Sequence, residues 1–231
     1  MMDWEFLLDV FGQLLSGLPL TLQLSALALL AGFVLAVLVA CAAGSRYRVI
    51  QWVGKAHIEL FRGTPLLVQI FLIYYGLGQI PGLRQSFLWP FLREPYWCAI
   101  LALALNTSAY TAEIIRGALQ AVPASEIEAG RACGMSGLLL RRRVIWPIAV
   151  RHGLPVYGSE IILMLKATSL ASIITLTEIT GIAYKLISST YRVMEVFAVT
   201  GALYLTLTFL ISLAFSLIES RLNKHLTRRR T

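Results

Sequence analysis

Apolar residues in this chain come in long runs rather than in alternating singles, and five such runs set the expected architecture. The first extends from about Leu18 to Ala43, and the second from about Ala56 to Gly76, interrupted by Arg62-Gly63-Thr64-Pro65. The third covers about Pro95 to Arg116, the fourth about Leu154 to Thr177, and the fifth about Met194 to Ile218. A helix rises about 1.5 Å per residue, so each run is long enough to cross a hydrocarbon core about 30 Å thick. The fourth is the most polar, because it carries Glu160 and Lys166. The pattern predicts an all-α integral membrane protein of five transmembrane helices.

Composition supports this reading and narrows it. Of the 231 residues, 58% are hydrophobic and 14% charged, against about 25% charged in an ordinary soluble domain. Mean hydropathy is +0.74. A water-soluble fold of this size needs more polar surface, so lipid must solvate much of the chain. Five or six helices with their loops use up the length, which predicts one transmembrane domain over residues 1–231 and no separate soluble domain.

The net charge of +8 changes the picture less than its distribution does. Basic residues gather at the ends of the apolar runs, which points to membrane topology and lipid contact rather than nucleic acid. Arg46, Arg48 and Lys55 follow the first run. Arg131, Arg141, Arg142, Arg143 and Arg151 lie between the third and fourth, and Arg221, Lys224, Arg228, Arg229 and Arg230 follow the fifth. The intervening loops are poorer, with Arg84 and Arg93 in one and Lys185 and Arg192 in the other. Excess Lys and Arg mark the cytoplasmic side, so the N-terminus is expected in the periplasm and the C-terminus in the cytoplasm. A six-span alternative would place both termini on one side. The first 17 residues contain Asp3, Glu5 and Asp9 and no basic residue, unlike the start of a signal peptide. Trp89, Tyr96 and Trp97 suit an interfacial belt. Cys41, Cys98 and Cys133 form no CxxC, and His57, His152 and His225 have no metal-ligand spacing, so no metal site or disulfide is expected.

Candidate chemistry concentrates in the loop of about 119–150, which is predicted to be cytoplasmic, as is a tail of about 219–231. Pro123 and Ser125 mark a helix start, with Ser125 as the expected cap and Glu126 and Glu128 in the first turn. Ala129, Ala132 and Cys133 then form a small-residue face, and Gly134 permits a tight turn. Such a helix suits docking into another protein's groove, and it equally suits an ordinary surface loop. Within the spans, Asn106, Tyr110 and Glu113 form one stripe, and Glu160, Met164 and Thr168 another. An ionisable residue at membrane depth costs about 2.5–3.5 kcal/mol on insertion scales, so Glu160 is read as functional first. It would favour a cationic group, or else bond a neighbouring helix or Lys166. Glu113 is expected to pair with Arg116 at i, i+3. Pro65 removes a helical N–H, and the carbonyl so freed must find a partner within the protein.

The loop sequence Glu128-Ala129-Gly130, followed by Gly134 and, after nine residues, by Val144-Ile145-Trp146-Pro147, resembles the EAA loop of ABC importer permeases. Gly130, Val144 and Trp146 depart from that pattern, whereas the spacing of Glu128, Gly134 and Pro147 matches it. Phe61 to Gln69 is similar to the second-helix signature of the polar amino-acid branch, and Leu105 to Gly117 to its third helix. The resemblance extends from about Leu18 to Arg221 and is nearest to permeases for arginine, histidine, lysine and ornithine.

The resemblance implies a type I ABC importer permease fold in the bacterial inner membrane. It implies a non-catalytic subunit that binds no cofactor itself, with ATP and Mg on a partner ATPase dimer. Its other partners would be a second permease subunit, identical or paralogous, and a periplasmic amino-acid-binding protein. Glu128, Ala129, Gly130, Gly134, Met135 and Pro147 would couple to the ATPase. Ser159-Glu160 and Asn106-Thr107 would contact substrate, with Tyr110 and Met164 on the same stripes. Gly54-Lys55-Ala56 fails the phosphate-loop pattern, so hydrolysis must belong to the partner. The alternative is an ATP-independent secondary amino-acid transporter, which would need no docking loop.

Overall fold

The computed structural model describes residues 3–227, with side chains described to Ser220, and every regular element among them is helical. The basic residues of the tail from Arg221 onward lie outside the described side chains. The first apolar run forms α2 (Leu18–Ala43), apolar around its whole circumference, preceded by α1 (Trp4–Leu15) with Asp3 as its cap. The chain turns at Gly44 into α3 (Arg48–Gly63), breaks, and continues as α4 (Leu66–Phe71) with a π turn over Leu72–Gly76. A short α5 (Trp89–Leu92) leads into α6 (Pro95–Gln120). The loop then forms α7 (Ala124–Ala132) and α8 (Gly137–Leu140), and a π turn over Arg141–Ile145 enters α9 (Trp146–Ala167). A 3-10 segment over Thr168–Ile174, then α10 (Ile179–Thr190) and α11 (Val193–Thr227), complete the fold.

Four stretches are long and apolar enough to span a membrane: Trp4–Ala43, Pro95–Gln120, Gly137–Ile174 and Val193–Ser220. The α3–α4 pair makes a fifth only as a broken span, because its halves are bent by 106°. The interruption expected at Arg62-Gly63-Thr64-Pro65 is therefore a sharp break between two helices. Thr64 and Pro65 are both extended (ψ 144° and 132°), a conformation that the residue before proline favours and that no helix can pass through. The fourth span also begins earlier than the hydropathy suggests, since its basic first turns carry Arg141, Arg142, Arg143 and Arg151. Pro147 follows the π turn, and Pro155 lies inside α9. Neither α1 nor α10 was expected, because both are short and partly polar.

The core lies where α6 meets its neighbours. α6 is the most enclosed helix, with Ala99, Ala102, Leu103, Thr107, Ser108 and Ala109 all buried. Its small residues let α2 approach closely: a methyl group on Gly32 would collide with Thr107. One apolar cluster joins Leu24, Ile70, Cys98 and Ala102 at the end where α4 and α5 connect to α6. At the opposite end Ala36, Val39, Ala43, Ile58 and Ala112 pack α2, α3 and α6 together. His57 of α3 is tied to Ser108 of α6 by a 2.8 Å hydrogen bond, which holds α3 alongside the span up to its break. Between lipid-solvated helices such small-residue packing and interhelical hydrogen bonds supply much of the association energy.

Candidate functional site: a polar cluster at the helix break and an exposed loop helix

The break in the second span sets the geometry of the polar cluster. An unbroken helix would bond the N–H of residue 65 to the carbonyl of Phe61, and Pro65 has no N–H to give. Two side chains replace it. Gln69 Nε2 donates to Phe61 O at 2.9 Å, and Asn106 Nδ2 donates to the same oxygen at 3.2 Å. Gln69 Nε2 also reaches Thr64 O at 3.1 Å and Thr64 Oγ1 at 2.8 Å, and Asn106 Nδ2 donates to Gln69 Oε1 at 3.0 Å. Thr64 Oγ1 in turn donates to Leu60 O at 2.7 Å. Gln69 and Asn106 are both buried. Together they form a clamp from α4 and α6 around the ends of the broken helix. Gln69 was not singled out in the sequence, although a lone glutamine four residues after Pro65 in an apolar run was the available signal.

One residue further along α6, Thr107 faces α9 instead. Thr107 Oγ1 donates to Glu160 Oε1 at 2.7 Å, with Thr107 fully buried and Glu160 7% exposed. Among the described residues Glu160 makes no ion pair, and Lys166 is exposed on another side of α9. A buried carboxylate with one hydrogen bond retains capacity for a cationic or donor group.

Glu160 lines a cavity of about 560 Å³ between α3, α6 and α9. Ser159, Tyr110 and Glu113 line the same cavity, with Arg62 and His152. Glu113 accepts from Arg116 Nε and Nη2 at 2.9 and 2.7 Å, the expected i, i+3 pair. The remaining substrate-site candidates are placed elsewhere. Asn106 is engaged in the clamp, Thr107 stands behind Glu160, and Met164 is buried against Ala28 and Leu103. Neither Asn106, Thr107 nor Met164 lines the cavity.

The loop helix is built to be presented. α7 begins at Ala124 with Pro123 at the cap position, so Ser125 lies inside the helix and makes no cap bond. Glu126 falls in the first turn, and Glu128 lies beyond it. The helix ends in a reversal: Gly134 N–H bonds Arg131 O at 2.9 Å and Met135 N–H bonds Gly130 O at 3.0 Å. That arrangement needs a left-handed residue, and Gly134 supplies it with φ +77°. α7 folds back on Leu140 and Val144, where a methyl group on Gly130 would lie 2.6 Å from Leu140 Cδ1. The departure at Gly130 from the EAA pattern thus has a local packing reason. The opposite face of α7 is open, with Glu128, Ala129, Ala132 and Cys133 all exposed and Met135 half-buried. Pro147 is exposed at the start of α9.

Comparison with known proteins supplies an independent line. Residues 28–224 match the model of the family described as "Binding-protein-dependent transport system inner membrane component". The chain is 58% identical to the octopine transport system permease protein OccM of Rhizobium meliloti over 94% of its length and 89% of that protein's. It is 50% identical to the nopaline transport system permease protein NocM of Agrobacterium fabrum, over 99% and 95% of the two chains. It is 44% identical to the arginine ABC transporter permease protein ArtM of Escherichia coli K12, over 75% and 78%. Among solved structures, an amino acid ABC transporter crystallised with histidines superposes with a TM-score of 0.83 at 36% identity, covering 96% of this chain and 99% of that one. A subunit of the inward-facing MetNI methionine ABC transporter shares the fold at TM-score 0.65 and 19% identity, with coverage of 96% and 99%.

Proposed function

The chain belongs to the family of binding-protein-dependent transport system inner membrane components, and on that premise we propose how it selects its substrate and how it is driven. It is the permease subunit of an amino-acid ABC importer, and ATP hydrolysis belongs to a partner ATPase. Membership removes the reason to invoke an ATP-independent carrier.

The proposed substrates are arginine and related basic or arginine-derived amino acids. The relatives named for octopine, nopaline and arginine support this class. The single observation that carries it is Glu160, a buried carboxylate held by Thr107 at the edge of a cavity between α3, α6 and α9. A carboxylate in a water-poor site favours a guanidinium or ammonium, which compensates its charge and offers matching donors. Ser159 and Tyr110 would complete the contacts from the cavity wall. Thr107 would act by positioning Glu160, and Asn106 by holding the broken helix in place. Met164 would contribute packing.

The whole chain would act as one permease domain in the inner membrane, with the α1 end in the periplasm and α7 in the cytoplasm. The excess of basic residues around α7 and α8 supports this orientation. The exposed Glu128, Ala129 and the turn at Gly134 and Met135 would seat in an ATPase subunit, with Gly130 and Pro147 fixing the helix against α8 and α9. A second permease and a periplasmic amino-acid-binding protein would complete the complex.

The test is Glu160→Gln in the complete transporter reconstituted in vesicles. Gln keeps the shape and the bond from Thr107 but removes the charge. Arginine uptake should fall about tenfold or more, the value of a charge-assisted bond of roughly 1.5–3 kcal/mol, while the subunits still co-purify. Uptake at the unaltered rate would overturn the assignment.

A further inference from the structure

The cavity that holds Glu160 also holds a cation, and the cation is not consumed by its neighbours. Arg62, the penultimate residue of α3, is turned into the cavity where the span breaks. Its guanidinium lies over the Tyr110 ring, 5.4 Å from the centroid, and its Nη1 is 4.0 Å from Glu113 Oε2. That is too long for a hydrogen bond. Glu113 already accepts two bonds from Arg116, at 2.9 and 2.7 Å. Among the described residues the Arg62 guanidinium makes no hydrogen bond, although its side chain is more than half covered. It is a positive group held in place by an aromatic face and a nearby carboxylate, with its planar fork of donors unused.

A purely cationic ligand would gain at Glu160 and be repelled at Arg62. A ligand that carries a carboxylate as well as a cationic group satisfies both. We propose that Arg62 is a carboxylate-binding residue of the transport cavity, taking the carboxylate of an amino acid whose cationic group is held by Glu160. The bidentate match of guanidinium to carboxylate supplies orientation as well as attraction. Arg62 therefore makes the site select amino acids over simple amines or guanidines. This inference rests on the proposed function, which reads this cavity as the substrate site, and it is separable from the assignment of Glu160.

The test measures equilibrium binding of radiolabelled arginine and of agmatine, its decarboxylated counterpart, to the purified permease–ATPase assembly in nanodiscs without binding protein. The wild-type assembly should bind arginine about tenfold or more tightly over agmatine. Arg62→Gln should lose that margin by weakening arginine and leaving agmatine unchanged or tighter. Arg62→Lys, which keeps the charge but not the fork, should retain part of it, and it carries the test if Arg62→Gln does not assemble. Equal losses for both ligands would show that Arg62 only supports the fold around Glu113 and would overturn the proposal, as would unchanged arginine binding. Glu160→Gln separates the two readings, because it should weaken both ligands together. If it weakens neither while Arg62→Gln still discriminates, the assignment of Glu160 fails and the carboxylate site stands. Wild-type protein that binds neither ligand overturns both.

Discussion

Replacing Asn106 with leucine removes two hydrogen bonds, to Phe61 O at 3.2 Å and to Gln69 Oε1 at 3.0 Å. Phe61 O keeps its bond from Gln69, whereas the buried Gln69 Oε1 loses the one donor described for it, so the cost is that of one ordinary bond plus an unpaired buried acceptor. At about 0.6–1 kcal/mol for the bond to Phe61 O and about 1–3 kcal/mol for the unpaired acceptor, the loss is about 2–4 kcal/mol. Gln69→Leu removes the donations to Phe61 O, Thr64 O and Thr64 Oγ1 and the acceptor used by Asn106, for about 2–4 kcal/mol on the same scale. The two changes share partners, so their effects should not add, and a coupling of about 1 kcal/mol is expected.

The clamp exists because Pro65 has no N–H, so restoring that N–H is the control. Pro65→Ala restores a donor for Phe61 O, and in that background Asn106→Leu should cost less than in the wild type. The assay is thermal or denaturant unfolding of the assembled transporter in one detergent, read beside arginine uptake. If Asn106→Leu leaves stability unchanged but abolishes uptake, Asn106 is a substrate contact and the clamp explanation is wrong. A cost that is identical with and without Pro65 would also refute it.

Two further predictions concern other regions. Gly134→Ala forces a side chain into a left-handed backbone at φ +77° and should destabilise the α7 turn by about 1 kcal/mol; Gly134→Arg should in addition abolish binding-protein-stimulated ATPase activity, and normal stimulation would sink the coupling role of this turn. Glu178 is fully buried and caps α10, accepting from Gly181 N–H at 2.8 Å, Thr180 N–H at 2.9 Å and Tyr204 Oη–H at 3.0 Å. Glu178→Ala should lower the stability of the assembly by about 2 kcal/mol or more and Tyr204→Phe by about 1 kcal/mol; a Glu178→Ala protein that unfolds at the wild-type temperature would show that the cap carries no net energy.

The membrane character and the four continuous apolar helices were legible in the sequence because they follow from the free energy of moving a whole segment out of water. That quantity is a sum over neighbours in the chain and needs no tertiary information. The turn at Gly134 and the pair Glu113–Arg116 were legible for the same reason, as both are set within four residues. The break at Thr64-Pro65 was visible as a missing donor, but its size was not. Only the fold decided that Gln69 and Asn106, 37 residues apart, would meet at Phe61 O, and that this would let the span bend by 106°. The two polar stripes were read correctly as helical faces, yet adjacent positions on α6 serve different ends. Asn106 turns to the break and Thr107 to Glu160, because α6 is surrounded by α2, α3, α4 and α9 and each position meets a different neighbour. Met164 shares a stripe with Glu160 and is nevertheless packed away from the cavity. Lys166 was a bond partner that the sequence offered to Glu160, and the fold leaves it exposed on another side of α9 and brings Arg62 to the cavity. Local periodicity specifies which side chains leave a helix together, whereas what they meet depends on how separate helices cross, a property of the whole packed bundle.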